Sequence, residues 1–148
     1  MKRLLLMSII LSMSFSCNNL NVQKKNRESD KGEGEKVLNI YFDNILSNNK
    51  EKNLQLFSKA FFEKTPKDVF FKQHNVVDER LGKVIGRSLE KWETNIVKGT
   101  KPVSEYFFVY DVERENYNSK ESFYLIKEAT DSIKINSYKV ESEGLLTE

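Results

Sequence analysis

The sequence predicts an α+β domain in which three helices pack on one face of a four-stranded antiparallel sheet. Two observations carry this. Between residues 36 and 82, apolar side chains return at three- and four-residue spacing and the stretch ends on Gly82. Between residues 84 and 141 they fall in four β-like runs separated by turn-forming residues. Helices grouped ahead of strands give a layer of helices on a sheet rather than an alternating α/β fold. No segment repeats at the period of solenoids or propellers.

The chain opens with MKRLLLMSIILSMSFS, residues 1–16. Lys2 and Arg3 precede an apolar run from Leu4 to Met13 that is broken only by Ser8 and Ser12. A basic start, a short apolar stretch and small residues make a secretory signal. The run falls short of the roughly 20 residues that span a bilayer as a helix. It leads into Ser14-Phe15-Ser16 and then Cys17, the only cysteine. This junction resembles the lipobox of bacterial lipoproteins, in which the cysteine becomes the first residue and carries acyl chains. Ser16 fits that pattern, and Ser14 stands where leucine is usual. Ordinary cleavage after Ser16 and an uncleaved anchor are the alternatives. Residues 17–35 contain only Leu20 and Val22 as large apolar residues, so they read as a lipidated cysteine followed by a flexible tether.

The domain is expected over residues 36–148. Val37, Leu38, Ile40, Tyr41, Phe42, Ile45 and Leu46 recur at helical spacing and mark a first helix that stops at Asn48-Asn49; Leu54, Phe57 and Phe61, with Leu56 and Ala60, mark a short second one. A third starts near Pro66, with Thr65 as its cap and Asp68 at its positive end. Phe70, His74, Val77 and Leu81 form its stripe.

Strands are expected over 84–97, 104–115, 121–128 and 132–141. Tyr106, Phe108, Tyr110 and Val112 share one face, with Phe107 and Val109 on the other. Ile133 and Ile135 are out of phase with Tyr138 and Val140, so a bulge is expected near Asn136-Ser137. Leu89 and Trp92 show the same break.

Composition narrows the function. The 148 residues carry 24 basic and 22 acidic side chains. Removing residues 1–16 takes Lys2 and Arg3 with it, leaving a formally neutral chain without a nucleic-acid footprint. A single cysteine excludes a disulfide-stapled fold.

From Leu81 onward the chain resembles a family of small secreted bacterial proteins within the nuclear-transport-factor-two-like superfamily, also described as cystatin-like. The carrying residues are Leu81-Gly82-Lys83-Val84, Arg87, Tyr106 to Val112, Glu121 to Glu128 and Ile133 to Val140. The resemblance implies a cone-shaped fold with a curved sheet. It implies no particular activity, because the superfamily hosts both enzymes and non-enzymes.

His74 is the only histidine and sits four residues before Asp78, on one helix face. Two such groups are too few for a tight metal site. An isomerase-like site needs a carboxylate base and a phenol donor; Asp111 and Tyr110, Tyr124 or Tyr138 are the candidates. Asp111 alternates with Tyr110, which separates that pair. Arg87 is expected in a cross-strand ion pair. Trp92 and the aromatics of 106–110 line either a core, a pocket or an interface. Ligand-binding candidates are therefore His74, Trp92, Tyr110 and Tyr138, with Cys17 as the lipid attachment point. No metal or cofactor is expected. The expected protein is a non-enzymatic lipoprotein of the bacterial envelope, facing the periplasm or the exterior, that binds a small apolar ligand or a protein partner. The alternatives are an envelope isomerase or hydrolase, and a structural homodimer.

Overall fold

The computed structural model describes residues 21–146. The expected signal segment and Cys17 lie outside the described residues. The elements run β1 (Val22–Lys25), α1 (Glu28–Leu46), a 3-10 turn (Lys50–Leu56), α2 (Lys59–Lys64), α3 (Lys67–Leu81), β2 (Val84–Lys98), β3 (Val103–Arg114), β4 (Ser119–Lys127), β5 (Ile133–Glu141) and a final 3-10 turn (Glu143–Leu145). The strands form one open antiparallel sheet in the order β1-β2-β3-β4-β5.

The architecture is α+β, with five strands rather than four. The additional strand comes from the segment expected to be a tether. β2 is 15 residues long and β3 only 12. The end of β2 offers its free edge to Val22–Lys25, from Val22 opposite Lys98 to Lys25 opposite Asn95. Asn26, at φ 50°, turns the chain out of the strand. Its backbone N–H donates to the Thr94 carbonyl at 3.1 Å, and its side-chain oxygen accepts from the Thr94 N–H at 2.9 Å. α1 likewise begins at Glu28, well before residue 36. Arg27 grips the buried Asp30 with two hydrogen bonds of 2.6 and 2.7 Å, and Gly34 lets the helix lie against the Phe108 ring. Residues 22–35 therefore belong to the fold, and a polar composition becomes ordered because tertiary partners receive it.

α2 is capped by Ser58, whose hydroxyl accepts from the Phe61 N–H at 3.0 Å. Thr65 closes α2 instead of opening α3, and Pro66 takes the cap position of α3 in an extended conformation. Gly82, at φ 79°, ends α3 as expected.

Both expected phase breaks are bulges. Tyr124 pairs with Ser137 and Leu125 with Ile135, which leaves Asn136 as the extra residue. Leu89 pairs with Tyr110 and Lys91 with Val109, which leaves Glu90 extra. Each bulge returns the next large side chain to the helix-covered face. The core on that face joins Leu38, Tyr41 and Phe42 of α1 and Phe70 of α3 to Tyr106, Phe108, Phe123, Leu125 and Ile135 of the sheet. Phe57, just before α2, bridges in parallel to Ile135 and covers the β5 edge. Among the described residues, no helix is long and apolar enough to cross a membrane.

Candidate functional site

Alternation along β3 and β4 sends Arg114 and Glu121 under the helices together with Phe123 and Leu125. Two charges in a core require partners. Arg114 donates to a Glu121 carboxylate oxygen at 2.6 Å, to the Gly82 carbonyl at 3.1 Å and to the Ser119 hydroxyl at 3.2 Å. Asp78 of α3 lies 3.5 Å from Arg114 and also pairs with Lys50. Two cations and two anions therefore balance. Burial, and then the charge of Arg114, holds the Lys50 amine below its ordinary range.

The second Glu121 oxygen accepts from the Tyr138 hydroxyl at 2.8 Å. Beyond Tyr138 lies Tyr41, with ring centroids 5.7 Å apart, and the Tyr41 hydroxyl is 3.1 Å from His74 Nε2. His74 Nδ1 is 3.0 Å from the Phe70 carbonyl. A carbonyl only accepts, so Nδ1 carries the proton; the neutral ring then accepts at Nε2 from Tyr41. Desolvation holds His74 below its ordinary pKa, opposed by the Phe70 carbonyl and the Glu121 charge. Desolvation, then the Glu121 charge, raises both the Tyr41 and the Tyr138 phenols far above theirs. The chain from Arg114 to His74 is thus satisfied within the protein. It offers no free base and no activated nucleophile.

This polar thread reaches the surface at both ends: at Lys50 and Asp78, and at His74 and Tyr138. Between α3 and β5 a groove of about 470 Å³ has His74 and Tyr138 in its lining. Val69, Val76, Val77, Val140 and Leu145 form its apolar walls, and Lys72 and Lys139 stand among them, Lys139 paired with Glu141 at 2.7 Å. Val69 and Val76 are exposed.

Of the expected site residues, the fold brings His74 and Tyr138 together and leaves the other two elsewhere. Trp92 is half-buried on β2, with Lys31 5.5 Å above its ring. Tyr110 is buried against Phe42 and Phe123, its phenol pushed up to about 12 by burial and then by the Glu35 charge. Asp111 is exposed, 3.5 Å from Lys120, so it does not meet Tyr110. Tyr124 donates to Glu105 at 2.6 Å away from the groove. Asp78 pairs with cations rather than with His74. Among the described residues Arg87 makes no cross-strand ion pair; it lies 4.6 Å over the Phe42 ring and donates to Asn39 at 3.0 Å. Glu121 is the residue that sequence reasoning missed. Its signal was an acidic residue in phase with Phe123 and Leu125. Among the described residues, no group of three or more His, Cys, Asp or Glu is placed to hold a metal. Comparison with family models, curated proteins and solved structures found no match to this chain.

Proposed function

We propose that the chain is a membrane-anchored envelope lipoprotein whose domain is a non-catalytic binding module. Its ligand is a small amphiphile with an apolar body and an anionic head. The observation that carries this reading is the groove between α3 and β5. It joins valine walls to Lys72, and to Lys139 shared with Glu141, above a floor, His74 and Tyr138, already held by internal hydrogen bonds. A rigid floor lowers the ordering cost of binding. The order of helices then antiparallel strands supports the cone-shaped, cystatin-like reading, and the lipobox-like junction at Cys17 supports the anchor.

The ligand reading is tested with 8-anilinonaphthalene-1-sulfonate, an aromatic anion. Its fluorescence should rise saturably on binding the native protein. Val76→Glu should weaken binding by about tenfold or more, because it sets a carboxylate against the apolar body, while Ile85→Glu outside the groove leaves it unchanged. A signal indifferent to Val76→Glu ends the proposal. The anchor is tested separately by fractionating cells that carry Cys17→Ser; a mutant that stays with the membrane like the wild type removes that part.

Two other readings each have one observation in their favour. The Tyr138–Glu121 pair is the phenol and carboxylate an isomerase would use, although both Glu121 oxygens are engaged and the residue is fully buried. The sheet face away from the helices carries Phe107, Val109, Tyr124 and Ile126, which suits a second copy of the chain.

A further inference from the structure

The order found in residues 22–35 shortens the connection between Cys17 and the fold. Asn21 lies beside Gly99 at the tip of the β2–β3 hairpin; a Cβ on Gly99 would run into the Asn21 side chain. Val22 then pairs with Lys98. From Asn21 back to Cys17 is four residue steps, at most about 14 Å of extended chain. An acyl group on Cys17 therefore holds this corner of the sheet close to the bilayer.

The corner is basic. Residues 18–27 contain Lys24, Lys25 and Arg27, residues 98–103 contain Lys98 and Lys101, and neither stretch has an acidic residue. Arg27 is engaged by Asp30. Among the described residues, Lys24, Lys25, Lys98 and Lys101 make no ion pair, and Lys25, Lys98 and Lys101 are exposed. The far end of the sheet has Glu113, Glu115, Glu141 and Glu143 alongside Lys83, Lys120 and Lys139, the last paired with Glu141 at 2.7 Å, so no cationic excess gathers there. Glu93 and Glu105 share a pocket lining with Lys25, so the charge concentrates toward the hairpin tip, at Lys98 and Lys101 beside Lys24. The β4–β5 turn at the same end carries Glu128 and Asp131, the latter paired with Lys127 at 3.0 Å. That turn lies beyond β3 and β4, so the charge pattern tilts the β1 corner toward the membrane and the turn away.

We propose that β1 and the β2–β3 hairpin tip form the membrane-facing surface of the domain, with Lys24, Lys25, Lys98 and Lys101 against anionic lipid headgroups. The proposal rests on the anchor reading at Cys17. Each lysine near an anionic surface strengthens the contact roughly fivefold at low salt. The acyl group supplies attachment, and the lysines supply orientation. The tilt leaves the groove between α3 and β5, on the opposite sheet edge from β1, open to the aqueous side.

The test uses the full lipidated protein, in which acylation blocks Cys17 and an introduced cysteine is the only free thiol. Thr100→Cys at the hairpin tip and Glu113→Cys at the far end are labelled with a fluorophore. The proteins are floated with phosphatidylcholine vesicles, with or without phosphatidylglycerol, containing a headgroup-attached quencher. On anionic vesicles, quenching at position 100 should exceed that at 113 severalfold. The difference should shrink with Lys98→Glu/Lys101→Glu and, without any further substitution, in high salt. Equal quenching at the two positions on vesicles that still float the protein overturns the orientation and leaves the anchor standing. A position-100 signal unmoved by either charge reversal or salt overturns the role of the lysines. Protein that floats with neither vesicle overturns the anchor and the orientation together.

Discussion

Two neighbouring parts of the interior are held by different physics. Around α2 and the start of α3, Phe57, Phe61 and Phe70 meet with ring centroids 4.5 to 6.1 Å apart, and no polar group takes part in those contacts. Toward the end of α3, Arg114, Glu121, Ser119 and Asp78 are joined by directed bonds. The aromatic part gains from burial and tolerates many orientations of similar volume. The ionic part gains little net free energy, since desolvation offsets its attraction, but it accepts only one arrangement. The first supplies stability and the second fixes which strand and helix positions meet.

Breaking the ionic part should give the largest effect. Glu121→Ala takes from Arg114 its nearest carboxylate, leaving Asp78 at 3.5 Å, and takes from Tyr138 its acceptor; it should cost about 3 kcal/mol in denaturant unfolding. The double change Arg114→Met/Glu121→Leu should recover most of that loss. A double mutant as unstable as Glu121→Ala would make the ion pair a true source of stability and undo the contrast.

A smaller effect comes from the junction of the two parts. His74 sits between Phe70 and Tyr41. Its folded-state pKa lies below the unfolded value of about 6.5, so the fold favours the neutral ring. Its contribution is complete above that value. It is lost as pH falls from there toward the folded value, by no more than about 1.4 kcal/mol per pH unit for one proton. His74→Gln should remove this slope between neutral and mildly acid pH. An unchanged slope would assign the acid sensitivity to other groups.

The smallest effect should lie on the surface. Lys127→Ala breaks a pair whose Asp131 partner is 88% exposed and should shift stability by less than about 0.5 kcal/mol. A larger loss would mean that the β4–β5 turn contributes to the core.

The same division explains what the sequence reveals. The four long strands are legible to within two residues because hydrophobic phase sets them, and the bulges at Glu90 and Asn136 follow from broken phase; a third register shift, at Ile85, does not. β1 and the first turns of α1 are not legible. Gln23, Lys24, Lys25 and the stretch from Glu28 to Glu35 have no apolar period, and they are ordered by the long edge of β2, by Asp30 and by the space above Phe108. Half of the candidate site follows the same rule. His74 and Tyr138 lie on readable faces of α3 and β5. That they meet through Tyr41, and that Glu121 completes the thread, depends on which strands and helices become neighbours, which no local pattern encodes.

The bulge at Asn136 has a consequence for changes in chain length. Its side chain accepts from the Ser58 hydroxyl at 2.7 Å, so the residue outside the ladder is also the one tied to the start of α2. Removing Asn136 would leave Ile135 and Tyr138 pointing to the same side, because one residue would still separate them; only the tie to Ser58 would go. Removing one residue between Tyr138 and Val140 would instead turn Val140 outward. Asn136, like Glu90 in β2, is thus a spare unit of length, a position where the strand can lose a codon and keep its reading of inside and outside.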